Sequence, residues 1–338
     1  MASRERVVKT LRLESPDRAP REVWALPAIG WYRQEEMDEL LARFPMDFVH
    51  PTFSYGVSPR QRGEEYRPGT FVDAWGSEWQ VLEVSRLGEV KRPVLADWSD
   101  LDRYELPWEL LREADWSQVN RSCHETDRFV LAGSRCNIFE RMQFLRGTEN
   151  LFLDLAYGVK EAYRLRDRLH EFNLTELRRW AETDVDGVSF NDDWGTQTAL
   201  LISPEMWRSF YKPMYQDYCD LIHGAGKFVF FHSDGHIEAI YPDLIELGVD
   251  AVNSQLFCMN IEELGRKYRG KITFWGEVDR QRLLPFGTPE EVRAAVRRVR
   301  AALDDGRGGV IAQCEWGVKD PKENLLALYD EWNKPLVV

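Results

Sequence analysis

In the stretch KFVFFHSDGH (227–236), an imidazole and a carboxylate, His232 and Asp234, stand two residues apart directly after the apolar run Phe228, Val229, Phe230 and Phe231. Residues two apart on an extended chain point the same way, so this pair can act on one ligand. Polar residues recur where other apolar runs end: Asn191, Asp192 and Asp193, then Asn253 and Gln255, then Glu277, then Cys314 and Glu315. Imidazole, carboxylate and thiolate are donors that zinc accepts, and three protein ligands with one open position make the catalytic form of a zinc site. Such an ion can hold a thiol as thiolate at neutral pH or polarise an oxygen. Without a metal the set reads as an acid/base site in which Asp193, Asp234 and Glu277 work around His232. Each residue also has a purely structural role open to it: Asp192 and Asp193 as loop caps, Glu277 as the partner of Arg280, Cys314 as a buried thiol.

Elements that could bring these residues together follow from the chain in order. An amphipathic N-terminal helix carries Val7, Val8 and Leu11 and is broken by Pro16 and Pro20. Strands are expected at REVWALPA, at MDFVHPTF (46–53), FVLAGS (129–134), DGVSFNDDWG (186–195), KFVFFHSD, DAVNSQ (250–255), KITFWGEV (271–278) and GGVIAQCEW (308–316). Between them lie helical stretches at 33–44, 101–114 and 148–182. A further helix has Ser203 as N-cap, Pro204 in its first turn and Gly224/Gly226 as its stop, and Thr288-Pro289-Glu290-Glu291 is the capping box of the last but one. Eight strands separated by helices predict a single α/β domain over residues 1–338, a (β/α)8 TIM-type barrel, whose active side is the carboxyl end of the strands. A doubly wound open sheet is the weaker choice, because the phosphate-binding glycine motifs of nucleotide folds are absent. An alternating segment at 71–95 predicts an inserted β-hairpin, either covering the barrel mouth or an interface, or ornamental.

Composition bounds the partners. The 338 residues carry a net charge of -13 with 43% hydrophobic residues, which disfavours nucleic acid or an anionic membrane as partner and points to a small molecule. No apolar run approaches a spanning helix. The five cysteines, Cys123, Cys136, Cys219, Cys258 and Cys314, are irregularly spaced, and no signal-like stretch opens the chain, so a reduced, cytoplasmic protein is expected.

Several long pieces, RERVVKTLRLESPDRAP, NDDWGTQTALLISPEMWRSFYKPMYQDYCDLIHGAGKFVFFHSDGHI, DLIELGVDAVNSQ, ITFWGEVDRQRLLPFGTPEEV and DPKENLLAL, resemble the uroporphyrinogen decarboxylase superfamily. The resemblance implies a distorted (β/α)8 barrel and one of two chemistries. The arginine-rich R-Q-A-G-R segment of true uroporphyrinogen decarboxylases is absent, since the corresponding region reads LPAIGWYRQEE. The other branch consists of zinc-dependent methyltransferases that work with corrinoid proteins, whose zinc motif is His-x-Cys and a distal Cys. By that resemblance His232 and Cys314 match ligands, Asp234 stands in place of the first cysteine, and a carboxylate, Glu277 ahead of Asp234, completes the set.

The reading is therefore a methyltransferase using Zn2+ and a corrinoid (cobalamin) carrier, acting on a small O-, N- or S-methyl compound. Metal ligands are expected among His232, Glu277, Cys314 and Asp234. Pocket residues are expected at Asn137, Glu140, Asp192, Gln197, Asn253 and Gln255, with Trp194, Trp275 and Trp316 as walls. Expected partners are the methyl donor or acceptor, a corrinoid protein and a second copy of the chain. A metal-free decarboxylase or lyase on an acidic substrate is the alternative.

Overall fold

A computed structural model describes residues 1–335. Eight strands form one parallel sheet: β1 (Arg21–Ala25), β2 (Phe48–Val49), β6 (Phe129–Gly133), β7 (Gly187–Asn191), β8 (Phe228–Ser233), β9 (Ala251–Ser254), β10 (Thr273–Trp275) and β11 (Val310–Trp316). Their order, β1-β11-β10-β9-β8-β7-β6-β2, leaves β1 and β2 at the two edges. Asp47 closes this seam. Its amide donates to the Arg21 carbonyl at 2.9 Å, and its carboxylate accepts from the Arg21 amide, Arg6 and Arg18 at 2.6–2.7 Å. The sheet is thus a nearly closed barrel, as expected.

Alternation along each strand separates two cores. Phe48, Phe129, Leu131, Phe230, Ala251, Trp275 and Ile311 fill the barrel with Val7 of the helix Ser3–Leu11. Val130, Val188, Val229, Phe231, Val252, Phe274 and Cys314 face outward to the helical layer. The all-apolar sequence of β8 follows from being covered on both faces.

Two caps sit where the sequence put them. Ser203 accepts from the Met206 amide at the start of Pro204–Phe210, and Thr288 and Glu291 form the capping box of Pro289–Leu303. The helix expected at 101–114 shrinks to the single turn Glu109–Arg112, because Pro107 disfavours the helical region at Leu106. The stretch 148–182 is two helices, Thr148–Tyr157 and Lys160–Ala181, divided at Gly158, whose φ is 64°.

Instead of a plain hairpin, the segment after β2 is a three-stranded antiparallel sheet: β3 (Gly69–Val72), β4 (Glu78–Val81) and β5 (Glu89–Arg92). Asp73 ties its first turn, accepting from the Trp75 and Ser77 amides and from Trp79 Nε1 at 2.9–3.0 Å. Trp79 packs edge-on against Phe144 of the helix Ile138–Arg146. Glu83, Val84 and Arg86, after β4, line a cavity together with Asp234, so the insertion covers the mouth.

Candidate active site

Strand register sets the site in rows. Asn191 of β7, His232 of β8 and Asn253 of β9 are register partners. Asp193, Asp234 and Gln255, each two residues further on, belong to the next row. His232 Nδ1 lies 2.7 Å from Asn253 Oδ1, while Asn253 Nδ2 donates to Gln313 Oε1 at 3.0 Å and to the Trp275 carbonyl. With both amide hydrogens spent, Asn253 Oδ1 must accept, so Nδ1 of His232 carries hydrogen and Nε2 faces the carboxylates. That nitrogen is 3.5 Å from Asp193 Oδ1 and 3.5 Å from Asp234 Oδ1.

These three atoms form a cradle, with their ligand atoms all within 4.8 Å of one another. Asp234 Oδ1 is buried without a hydrogen-bond partner, whereas Arg280 holds Oδ2. Burial opposes charge on His232, but the hydrogen bond and field of Asp193, joined by the field of Asp234, raise its pKa to about 9. Burial likewise works against Asp193, yet His232 lowers its pKa. A cation completes such a cradle: one nitrogen and two carboxylate oxygens, one of them orphaned, suit zinc.

The loops after β7 and β8 are held together by backbone. Asp192 N–H donates to the His232 carbonyl, Gly195 N–H to the Asp234 carbonyl and Trp194 N–H to Ser233 Oγ, each at 3.0–3.1 Å. Gly195 and Gly235 touch directly: a Cβ on Gly235 would lie 2.2 Å from the Gly195 carbonyl oxygen.

Alternation along the strands also decides which expected residues reach the site. Cys314 does not. It points outward, fully buried, with Sγ 3.4 Å from Tyr329 Oη of the helix Lys322–Trp332, and burial pushes its thiol up to about 12. Of the expected ligands His232, Glu277, Cys314 and Asp234, the structure brings together His232 and Asp234, joined by Asp193, in a group that could hold a metal ion, and leaves Glu277 and Cys314 outside it. Glu315, not Cys314, faces the mouth and pairs with Arg280 at 2.7 Å. Glu277 is buried 3.9 Å from Arg280; burial raises its pKa to about 8, against the pull of Arg280.

Asp192 also turns away from the lumen. It accepts from the Phe139 and Glu140 amides and from Tyr215 Oη, capping the helix Ile138–Arg146. Trp194 is stacked on Phe139 in the outer core, and Trp316 donates to the Asp320 carbonyl there. None of those three lines the cavities around the strand ends. Trp275 does face inward. Gln197 and Gln255 bond to each other at 3.3 Å and line a small cavity with Glu277. Asn137 and Glu140 line a separate cavity of about 300 Å3 under the inserted sheet, and Glu140 accepts from Asn191 at 3.0 Å.

Two larger cavities flank the cradle. One, about 540 Å3, is lined in part by charged residues, Asp234, Arg280, Glu315, Arg86 and Lys319 among them. The other, about 550 Å3, includes His232, Glu22, Trp24, His50, Phe190 and Trp275. Glu22, Trp24 and His50 were not singled out by sequence, although the alternation of Glu22 and Trp24 with Arg21, Val23 and Ala25 in β1 was the available signal.

The uroporphyrinogen decarboxylase (URO-D) family model matches residues 73–334. Among solved structures, a methyltransferase from Methanosarcina mazei is similar at a TM-score of 0.71 and 16% identity over 98% of each chain. At that identity the likeness is one of fold. An apo 3-keto-D-glucoside 4-epimerase, YcjR, from E. coli gives a TM-score of 0.39 at 14% identity, over 70% of this chain and 86% of that one. A chitinase from Chromobacterium violaceum gives 0.40 at 10% identity, over 94% of this chain and 100% of that one. No curated protein matches.

Proposed function

Since the chain belongs to the uroporphyrinogen decarboxylase (URO-D) family, we propose that it is a zinc-dependent methyltransferase, moving a methyl group between a small methylated substrate and a corrinoid carrier. The observation that carries the reading is the convergence of Asp193 Oδ1, His232 Nε2 and Asp234 Oδ1 on one point between two cavities. A zinc ion there would act as a Lewis acid on the heteroatom that bears or receives the methyl group. The solved methyltransferase that shares the fold is consistent with this reading.

This chain's own groups have definable tasks. Asn253 fixes the tautomer of His232, leaving Nε2 for the metal. Arg280 engages one oxygen of Asp234, so the other is turned toward the cradle. Glu277, neutral at pH 7 with a pKa of about 8, can hand a proton to a departing heteroatom or take it back. The apolar barrel floor of Phe230, Trp275 and Ile311 offers no competing ligand from below the cradle.

A decarboxylase acting on a polycarboxylate would need free cationic groups. Arg280, the arginine beside the cradle, is already engaged by Asp234 and Glu315, so of the basic residues lining its cavity Arg86 and Lys319 would be left to meet a substrate carboxylate. The test is spectroscopic. Purified protein with zinc and reduced cobalamin is mixed with methoxy-aromatics, methylamines, methyl sugars or methyl thioethers, and methylcobalamin formation is followed by absorbance. The reading requires formation with one class, and turnover of uroporphyrinogen without any corrinoid effect contradicts it.

A further inference from the structure

The 550 Å3 chamber beside His232 differs sharply from its neighbour in chemistry. No lysine or arginine lines it among the described residues, whereas Arg86, Arg280 and Lys319 line the other. Its walls include the indoles of Trp24 and Trp275, which meet at an interplanar angle of 89° with centroids 5.0 Å apart. A carboxyl group, Glu22, is set into this aromatic corner, 4% exposed and accepting from the Trp275 indole N–H. His50 is anchored through Nδ1 to the Leu131 carbonyl at 2.9 Å.

We propose that this chamber is the binding site for a methylated ammonium ion, held by the Trp24 and Trp275 rings and the Glu22 carboxylate. Aromatic faces attract cations through their quadrupoles, most strongly where water is excluded. A buried carboxylate adjoining them supplies the countercharge, and a quaternary or tertiary ammonium needs few hydrogen bonds from a wall that offers few. Burial raises the pKa of Glu22, with the charge of His50 and the hydrogen bonds from Trp275 and Trp24 opposing it; a bound cation adds to that opposition and favours the carboxylate. The chain's net charge of -13 draws cations toward the molecule. The link to methyl transfer rests on the reading above and names its substrate class, but the binding site itself can be tested without turnover.

The test is isothermal titration calorimetry of the full chain, without corrinoid, against choline and its uncharged carbon isostere 3,3-dimethylbutan-1-ol. Choline should bind at least about tenfold more tightly than the alcohol. Glu22→Gln should weaken choline at least about tenfold and leave the alcohol unchanged, and Trp24→Ala should weaken choline too, with circular dichroism melts confirming that both variants fold. Equal affinity for the alcohol, tighter binding of a neutral methoxyphenol, or no binding of choline overturns the proposal. The wild-type comparison decides even if a variant does not fold. Choline binding without methylcobalamin formation would leave this site standing and remove the methyltransferase reading; the converse outcome would do the reverse.

Discussion

The Asp234 amide donates to Asp193 Oδ1 at 2.9 Å, so the backbone of one strand end fixes the carboxylate of the next. That bond fixes the Asp193 carboxylate while Arg280 holds the Asp234 carboxylate, and each acid keeps an oxygen 3.5 Å from His232 Nε2. It depends on the loops after β7 and β8 lying in contact, which only glycine at 195 and 235 allows.

Gly235→Ala should therefore damage both stability and the cradle. The residue has a φ of 81°, and the added Cβ would strike the Gly195 carbonyl, a combination expected to cost on the order of 1–3 kcal/mol. Chemical denaturation should show the loss, and the folded variant should bind zinc more weakly than wild type. A variant with unchanged midpoint and zinc affinity would show that the loop contact does not position the acids.

The barrel was legible because short continuous apolar runs and helix caps are local signals; β8, the Ser203 cap and the Thr288 capping box all fell where expected. Which side chain of a strand end enters the lumen was harder, since it depends on register across strands. Asp193 and Asp192 are adjacent, and only their pairing with β8 shows that one faces the mouth and the other caps a helix. In β11 the outward set Val310, Ala312, Cys314 and Trp316 is wholly apolar or thiol, while Gln313 and Glu315 share the other face; that alternation argued for Glu315, but the resemblance to a distal-cysteine motif favoured Cys314. Glu22 and His50 are brought together by barrel closure, which no local pattern records.

Glu277→Gln should keep its metal. With a pKa of about 8, Glu277 is neutral at pH 7, and the amide preserves its shape. Elemental analysis should find zinc content equal to wild type, with methyl transfer slowed by about 10²-fold or more if Glu277 moves the proton. Zinc loss would make Glu277 a ligand.

The loop at Asp320 should give the protein a specific pH dependence. Asp320 is 2% exposed and accepts from the Gly317 amide at 2.6 Å; burial outweighs this bond and raises its pKa from 3.8 to about 6. The folded state thus binds more protons than the unfolded one between those values, so this residue's contribution is full below pH 4 and is lost as pH rises to 6, about 3 kcal/mol in all. Comparing unfolding free energies of wild type and Asp320→Asn from pH 4 to 7 should show the wild-type curve falling relative to the variant. Parallel curves would refute the assignment.

The most direct test of the account is zinc content per chain, measured by elemental analysis on wild type, Asp193→Asn, His232→Ala and Cys314→Ser after equilibration with zinc. About one zinc in wild type, severe loss in the first two variants and full retention in Cys314→Ser is the expected result, because Cys314 faces Tyr329 and not the cradle. Loss of zinc in Cys314→Ser with retention in Asp193→Asn would contradict it.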